Sequence, residues 1–232
     1  MADDKPGAGD VSDAMSSRGL AGKRDYVRTL EQRRDDESVS LLVQCLCDES
    51  GYLRELAEEA LLRIGERSGP ALLPLLGQGL WCSRTSAARV LGRMGYAPAA
   101  GPLLRLTEDS VETVVREAYA SLHVLGQRGA TVRVAWELHR LAPEQRQARL
   151  ARLLLTDRRF AARLQRLMTT VDLMSQVDPD ALRDDSALVR ASEEGGTWDR
   201  IGDPPSTRPG SPATGAATTP VPTAHGPATA TR

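Results

Sequence analysis

Leu53-Arg54-Glu55-Leu56-Ala57-Glu58-Glu59-Ala60-Leu61-Leu62-Arg63-Ile64-Gly65 decides the fold. Its apolar residues Leu53, Ala57, Ala60, Leu61 and Ile64 recur at steps of three and four, the period of a helix with one buried face rather than of a strand. Small residues stand one turn before an aliphatic pair. The closing glycine can end the helix by adopting a left-handed conformation. Two later stretches close the same way: Ala87-Ala88-x-x-Leu91-Gly92 and Ala118-x-x-Ser121-Leu122-x-x-Leu125-Gly126. From Gly65 to Gly92 is 27 residues and from Gly92 to Gly126 is 34. Self-similarity at a period near thirty marks a stacked array of helical hairpins.

Working outward, a helix is expected from Leu20, with Tyr26, Val27 and Leu30 on one face and Lys23, Arg24, Arg28 and Arg33 on the other. The stretch 35–38 reads as a turn in which Asp36 or Ser38 can cap the next helix. The first hairpin pairs 38–47 with 52–67, broken by Asp48-Glu49-Ser50-Gly51, and Pro70 can open the helix that follows. The pattern recurs as 71–77 with 80–93 and as 98–107 with 111–127. The middle hairpin is expected to have an abbreviated first helix, because Gly77 and Gly79 are poor helix formers. After Gly129 helicity continues without the signature, over 131–141 with Val134, Leu138 and Leu141, from Pro143 with Leu150, Leu153 and Leu154 inward, and over 158–174 from Phe160 to Met174. An amphipathic piece at 179–189 is expected to pack on this end.

The pattern hydrophobic-Arg-x-x-Ala-x-x-Ala-Leu-x-x-Ile-Gly resembles HEAT repeats in their short, bacterial, PBS-lyase-like form. Residues 53–65 fit it at every position. The third copy keeps Val114, Ala118, Leu122, Leu125 and Gly126 with Arg116 displaced by one, and the second keeps Ala87, Leu91 and Gly92 but puts Trp81 where Arg is usual. The resemblance covers 37–127. It implies an all-α protein, a right-handed α-solenoid of about five hairpins over 19–190, with a divergent cap at 130–190. A terminal repeat has an open end to cover, so departure from the pattern is expected there. Residues 1–18 read as a disordered leader and 191–232, rich in Pro, Gly, Ala and Thr, as a disordered tail with too little to bury.

Composition excludes more than it identifies. Across 232 residues the 30 Lys and Arg nearly balance the 31 Asp and Glu, so net charge points to neither nucleic acid nor membrane. No run approaches the roughly 20 apolar residues of a membrane span, and residues 1–10 lack the apolar core of a signal peptide. The expectation is cytoplasmic. Cys45, Cys47 and Cys82 show no Cys-x-x-Cys spacing and read as buried or half-buried thiols.

No catalytic constellation emerges. His123, His139 and His225 form no His-x-x-x-His or His-Glu pair, unlike deoxyhypusine hydroxylase, a HEAT-like enzyme that holds iron with such pairs. No Gly-x-Ser-x-Gly elbow exists, and Gly77-Gln78-Gly79 reads as a helix break rather than a phosphate loop. Glu58 and Glu59, like Asp184 and Asp185, are adjacent, diverge on a helix and read as solvated. No cofactor, and no metal, is expected.

Three binding surfaces are candidates. In a HEAT array the second helices line the concave side. Superposing Gly65, Gly92 and Gly126 gives the rows Glu58, Thr85 and Tyr119; Leu62, Arg89 and His123; and Glu66, Arg93 and Gln127. Tyr119 is the one aromatic there, and His123 is expected on an exposed face. The second candidate is a basic surface from Arg146 to Arg166, with Arg149, Arg152, Arg158, Arg159, Arg163 and Arg166 around a single nearby acid, Asp157. Arg159, Arg163 and Arg166 share one helical stripe, suited to phosphates or an acidic partner. The third is the tail segment with Trp198 and Ile201, a recognition motif or an incidental aromatic. The leading expectation is a non-enzymatic scaffold or adaptor holding a protein or peptide along the concave face. The alternatives are nucleic-acid or acidic-partner binding through the Arg surface, in the manner of HEAT-like DNA glycosylases, or service to a bilin-lyase-type enzyme.

Overall fold

A computed structural model describes residues 19–170 together with Asp178, Asp185, Val189 and Arg190. The expected leader, the tail with Trp198 and Ile201, and most of 171–190 lie outside the described residues. Among the described residues every regular element is helical. No helix among them is long and apolar enough to cross a membrane.

The α-helices run in chain order as α1 (Leu20–Arg33), α2 (Asp36–Cys45), α3 (Gly51–Ile64), α4 (Gly69–Leu72), α5 (Trp81–Met94), α6 (Ala100–Leu106), α7 (Glu112–Leu125), α8 (Thr131–His139), α9 (Pro143–Thr156) and α10 (Arg158–Thr170). α4 is four residues long and is continued by a 3-10 turn, Leu73–Leu76. This is the abbreviated first helix expected ahead of Gly77.

Local chemistry sets the helix starts. Asp35, rather than Asp36 or Ser38, caps α2: its Oδ1 accepts the Ser38 N–H at 2.7 Å. That bond, with Arg33 beside it, holds the Asp35 carboxyl below its usual range. Asp157 caps α10 in the same way, accepting from the Phe160 N–H at 2.7 Å. The start of α8 is capped from far along the chain, by Asp185, whose carboxylate accepts the Val132 N–H and whose own N–H donates to Gly129 O at 2.9 Å. Asp185 is therefore buried and not solvated.

Gly65 (φ 80°) and Gly95 (φ 77°) occupy the C-caps of α3 and α5. Gly92, expected to stop the second copy, lies inside α5, and Gly126 is right-handed at the end of α7. The register of the middle copy therefore moves by three residues. α3, α5 and α7 are each 14 residues long and begin at 51, 81 and 112, a nearly even spacing in place of 27 and 34. The Arg of the pattern is then Arg84, not Trp81. Its Nη1 donates to Gly79 O at 2.7 Å, as Arg54 Nη1 donates to Glu49 O at 3.0 Å. Both guanidiniums tie off the loop five residues upstream.

Packing follows this spacing. α3 packs on α5 and α5 on α7, while α2, α4 and its 3-10 turn, α6 and α8 make a second row of neighbours. α1 packs on α2 and α3; α10 packs on α8 and α9. Ala57, Ala60, Leu61, Leu91 and Leu122 are fully buried between the rows, with Ile64 at their edge. On α9 Leu153 is fully buried but Leu154 is exposed, so the inward stripe is narrower than expected.

Candidate functional site

One partly buried polar chain crosses three helices. Glu58, on α3, is 6% exposed and accepts from Ser86 Oγ at 2.6 Å and from Arg89 Nη1 at 3.1 Å, both on α5. Arg89 Nη2 donates to Glu117 on α7 at 2.8 Å. Glu58 is thus not solvated, whereas its neighbour Glu59 points out to Arg63 at 2.8 Å. A buried carboxylate is tolerated only when paired and hydrogen-bonded, and both conditions hold. Burial works against the Arg89 charge, but Glu117 and Glu58 outweigh it and raise its pKa further.

A parallel tie joins α5 to the loop before α7. Arg84 Nε and Nη2 donate to Asp109 Oδ2 and Oδ1 at 2.7 and 2.9 Å, a two-pronged pair. Burial would raise the Asp109 pKa. Arg84 and the Val111 N–H reverse that and hold it below the usual range.

Above this chain lies a groove of about 200 Å³ between α3 and α5, lined by Glu55, Glu58, Trp81, Thr85, Arg89 and Thr113 among others. Trp81 is 51% exposed and follows Leu80, also exposed. Thr85 is buried, its hydroxyl donating to Trp81 O at 2.8 Å.

The structure thus brings Glu58, Thr85 and Arg89 together in one groove. Leu62, Glu66 and Arg93 line a second, of about 360 Å³, with Arg128. Tyr119, His123 and Gln127 do not extend either row. Tyr119 is buried against the end of α6, where Thr107 meets its hydroxyl and burial raises its pKa. His123 is turned into the α7–α10 contact and is not on an exposed face. Its Nε2 is 3.1 Å from Asp157 Oδ2 and 3.1 Å from Gln127 Nε2, and its ring is 5.4 Å from that of Phe160. The three-residue register change moves only α5 and leaves the alignment of α7 with α3 untouched, so these side chains are withdrawn by their own contacts with Thr107, Asp157 and Phe160.

The Arg surface divides. Arg149 is 5% exposed, pairs with Glu108 at 2.6 Å and donates toward Leu104 O. Arg152 pairs with Glu112 at 2.6 Å, and Arg146 donates to His139 O. Arg163 and Arg166 each have an interaction partner. Arg158 and Arg159 remain exposed. The acids answering this cluster come from the preceding hairpin, so Asp157 is not its only counter-charge. Among the cysteines, Cys45 is buried, with its thiol pushed up to about 12 by burial, Cys82 is half-buried and Cys47 is exposed.

Trp81, Glu117 and Asp109 were missed as site residues. Trp81 already falls in the first turn of the expected 80–93 helix; its exposure, unlike its position, has no signal in a single sequence. Comparison of the sequence with protein-family models and with curated proteins finds no match to either.

Proposed function

We propose that this chain is a non-enzymatic scaffold: a HEAT-type α-solenoid whose second-helix face, over α3, α5 and α7, holds a protein or peptide partner. Support for the solenoid comes from the near-even placement of three equal helices and from packing that joins each hairpin chiefly to its sequence neighbours. The observation that carries the binding reading is Trp81, a large aromatic half-exposed beside a groove that two second helices build. Trp is enriched among the residues that anchor interfaces. The surrounding charges are largely committed to one another. They order the helices and leave an apolar anchor with polar neighbours, the composition of a protein-binding surface.

The nucleic-acid alternative has less support, because Arg149 and Arg152 are neutralised by Glu108 and Glu112. Service to a bilin-type enzyme rests on family resemblance alone.

The test is partner capture with the immobilised full chain, scored against two variants. Trp81→Ala should abolish recovery of any partner that uses the face, while Arg159→Ala, on α10, should leave it intact. A partner lost with Arg159→Ala and kept with Trp81→Ala would move the interface to the basic surface.

A further inference from the structure

We propose that the groove of about 360 Å³ at the ends of α3 and α5 receives a carboxylate from an aspartate or glutamate side chain of the partner; this rests on the second-helix face being the binding surface. Arg93, in the last turn of α5, and Arg128, in the link Gly126–Ala130 between α7 and α8, both line it. Glu66 is the one acid in the lining, so two cations against one anion leave an excess positive charge. Both arginines are exposed, and neither has an ion pair or a side-chain hydrogen bond among the described residues. Arg63, Arg67, Arg84, Arg89, Arg149 and Arg152, by contrast, each meet a carboxylate within 3.1 Å.

The backbone builds this juxtaposition. At Gly95, the left-handed C-cap of α5, an added Cβ would come within 2.8 Å of the Arg128 Cβ. The link after α7 therefore rests on the residue that closes α5, and the root of Arg128 is seated two residues past Arg93. The helix ends do not need these guanidiniums as caps. Leu91 O accepts from the Gly95 and Tyr96 N–H groups, and Leu61 O from the Gly65 N–H and Ser68 Oγ. Two like charges on one groove repel each other, and a bound anion relieves that. Guanidiniums pair with carboxylates through parallel N–H donors. A cationic occupant would add to the excess charge. An apolar one would strip water from two arginines and a glutamate without compensation, which costs more than it returns. Leu62 and Met94, half-buried in the same lining, offer an apolar surface to the methylene stem of an acidic side chain, which a free inorganic anion does not use.

The experiment records amide spectra of the 15N-labelled full chain at low ionic strength, where exposed charge contacts are least screened. The titrants are the blocked pentapeptide Ala-Ala-Glu-Ala-Ala, its counterparts with Gln or Lys at the centre, and acetate. The Arg93, Gly95 and Arg128 backbone signals should move with the Glu peptide and stay in place with the Gln and Lys peptides. Acetate, the same charge without stem or peptide, should move them less at equal concentration. Arg93→Gln and Arg128→Gln should each weaken the Glu peptide about fivefold, the upper scale of a single exposed charge contact, and Glu66→Gln should strengthen it. All three residues are exposed, so these variants report on the groove without threatening the fold. Arg105→Gln, on α6 at another exposed arginine without an ion pair, should change nothing. The proposal is overturned if the Glu peptide leaves these signals unmoved, if the Gln peptide, the Lys peptide or acetate moves them equally, or if the double variant Arg93→Gln, Arg128→Gln binds the Glu peptide as well as the parent. A captured partner lost with Trp81→Ala but kept with that double variant sinks this inference and leaves the scaffold reading standing. A partner indifferent to Trp81 and to both arginines sinks both.

Discussion

Gly92 of α5 lies directly on Ser121 of α7: a Cβ built at Gly92 would come within 2.9 Å of the Ser121 Cα, Cβ and carbonyl oxygen. Two helix backbones approach there more closely than any side chain allows. This contact, and not a helix stop, is why position 92 is glycine. In an exposed helix, Gly→Ala gains about 1 kcal/mol. Here the sign should reverse. Gly92→Ala must push α7 away, an overpacking cost of about 1–3 kcal/mol, so its melting temperature should fall. Gly77→Ala, where the added Cβ meets nothing within 4 Å, should melt at or slightly above the parent. A Gly92→Ala protein as stable as the parent would show that the α5–α7 contact is looser than described.

The same glycine shows where the sequence was readable and where it was not. Period and small-residue placement located α3 and α7 to within three residues at each end, because apolar periodicity is written by burial along a single helix. Pro143 and Pro70 marked starts, and the weak first helix of the middle hairpin was visible in Gly77. The register of α5 was not legible. A glycine at a C-cap and a glycine at a close helix crossing look identical in one sequence, and Gly92 and Gly95 are three residues apart. Nor could the sequence distinguish Glu58 from Glu59, since the first is buried only because Ser86 and Arg89 arrive from another helix. The arginines of α9 raised the same difficulty, their acids standing about forty residues earlier.

Removing two members of the Glu58–Arg89–Glu117 chain should cost less than the sum of removing each. Arg89→Met leaves Glu58 buried without its cation, a loss of about 2–3 kcal/mol. Glu58→Gln keeps an acceptor for Ser86 Oγ and should cost about 1 kcal/mol. In urea denaturation the double variant should be less destabilised than the sum of the two, by 1 kcal/mol or so. Strict additivity would mean that the two side chains do not share a network in solution.

Acid should loosen the tie between α5 and α7. The Asp109 pKa is lower in the folded chain than in the unfolded one, so the unfolded state binds the proton more readily. The associated stability is complete above the unfolded carboxyl value, near pH 4, and is lost as the pH falls through the lower folded value. Asp35 and Asp157 shift in the same direction and add to the slope. Asp109→Asn should therefore lower stability at pH 7 by about 1–2 kcal/mol and flatten its decline between pH 5 and pH 2. An unchanged acid limb in denaturation measured across that range would remove Asp109 from the account.

Two arginines of the basic surface should behave oppositely. Arg149 sits in the contact between α9 and the end of α6, reaching Glu108 at 2.6 Å and directed at Leu104 O, with almost no exposure. Arg149→Ala removes this cation and opens space around fully buried Leu153, and should destabilise by about 2–3 kcal/mol. Arg159 is exposed on α10, and Arg159→Ala should stay within about 0.5 kcal/mol of the parent. Nucleic-acid recognition through Arg149 would need that side chain to turn outward. It would also impose a steep salt dependence on binding to a labelled duplex, since each phosphate contact releases a counterion. The structural role predicts instead that Arg149→Ala lowers the urea midpoint nearly equally at about 50 and about 500 mM salt, because the loss is chiefly the buried packing of the Arg149 side chain and its contact toward Leu104 O, Glu108 being exposed. A loss of duplex binding with no change in midpoint would return Arg149 to the surface and reverse the assignment.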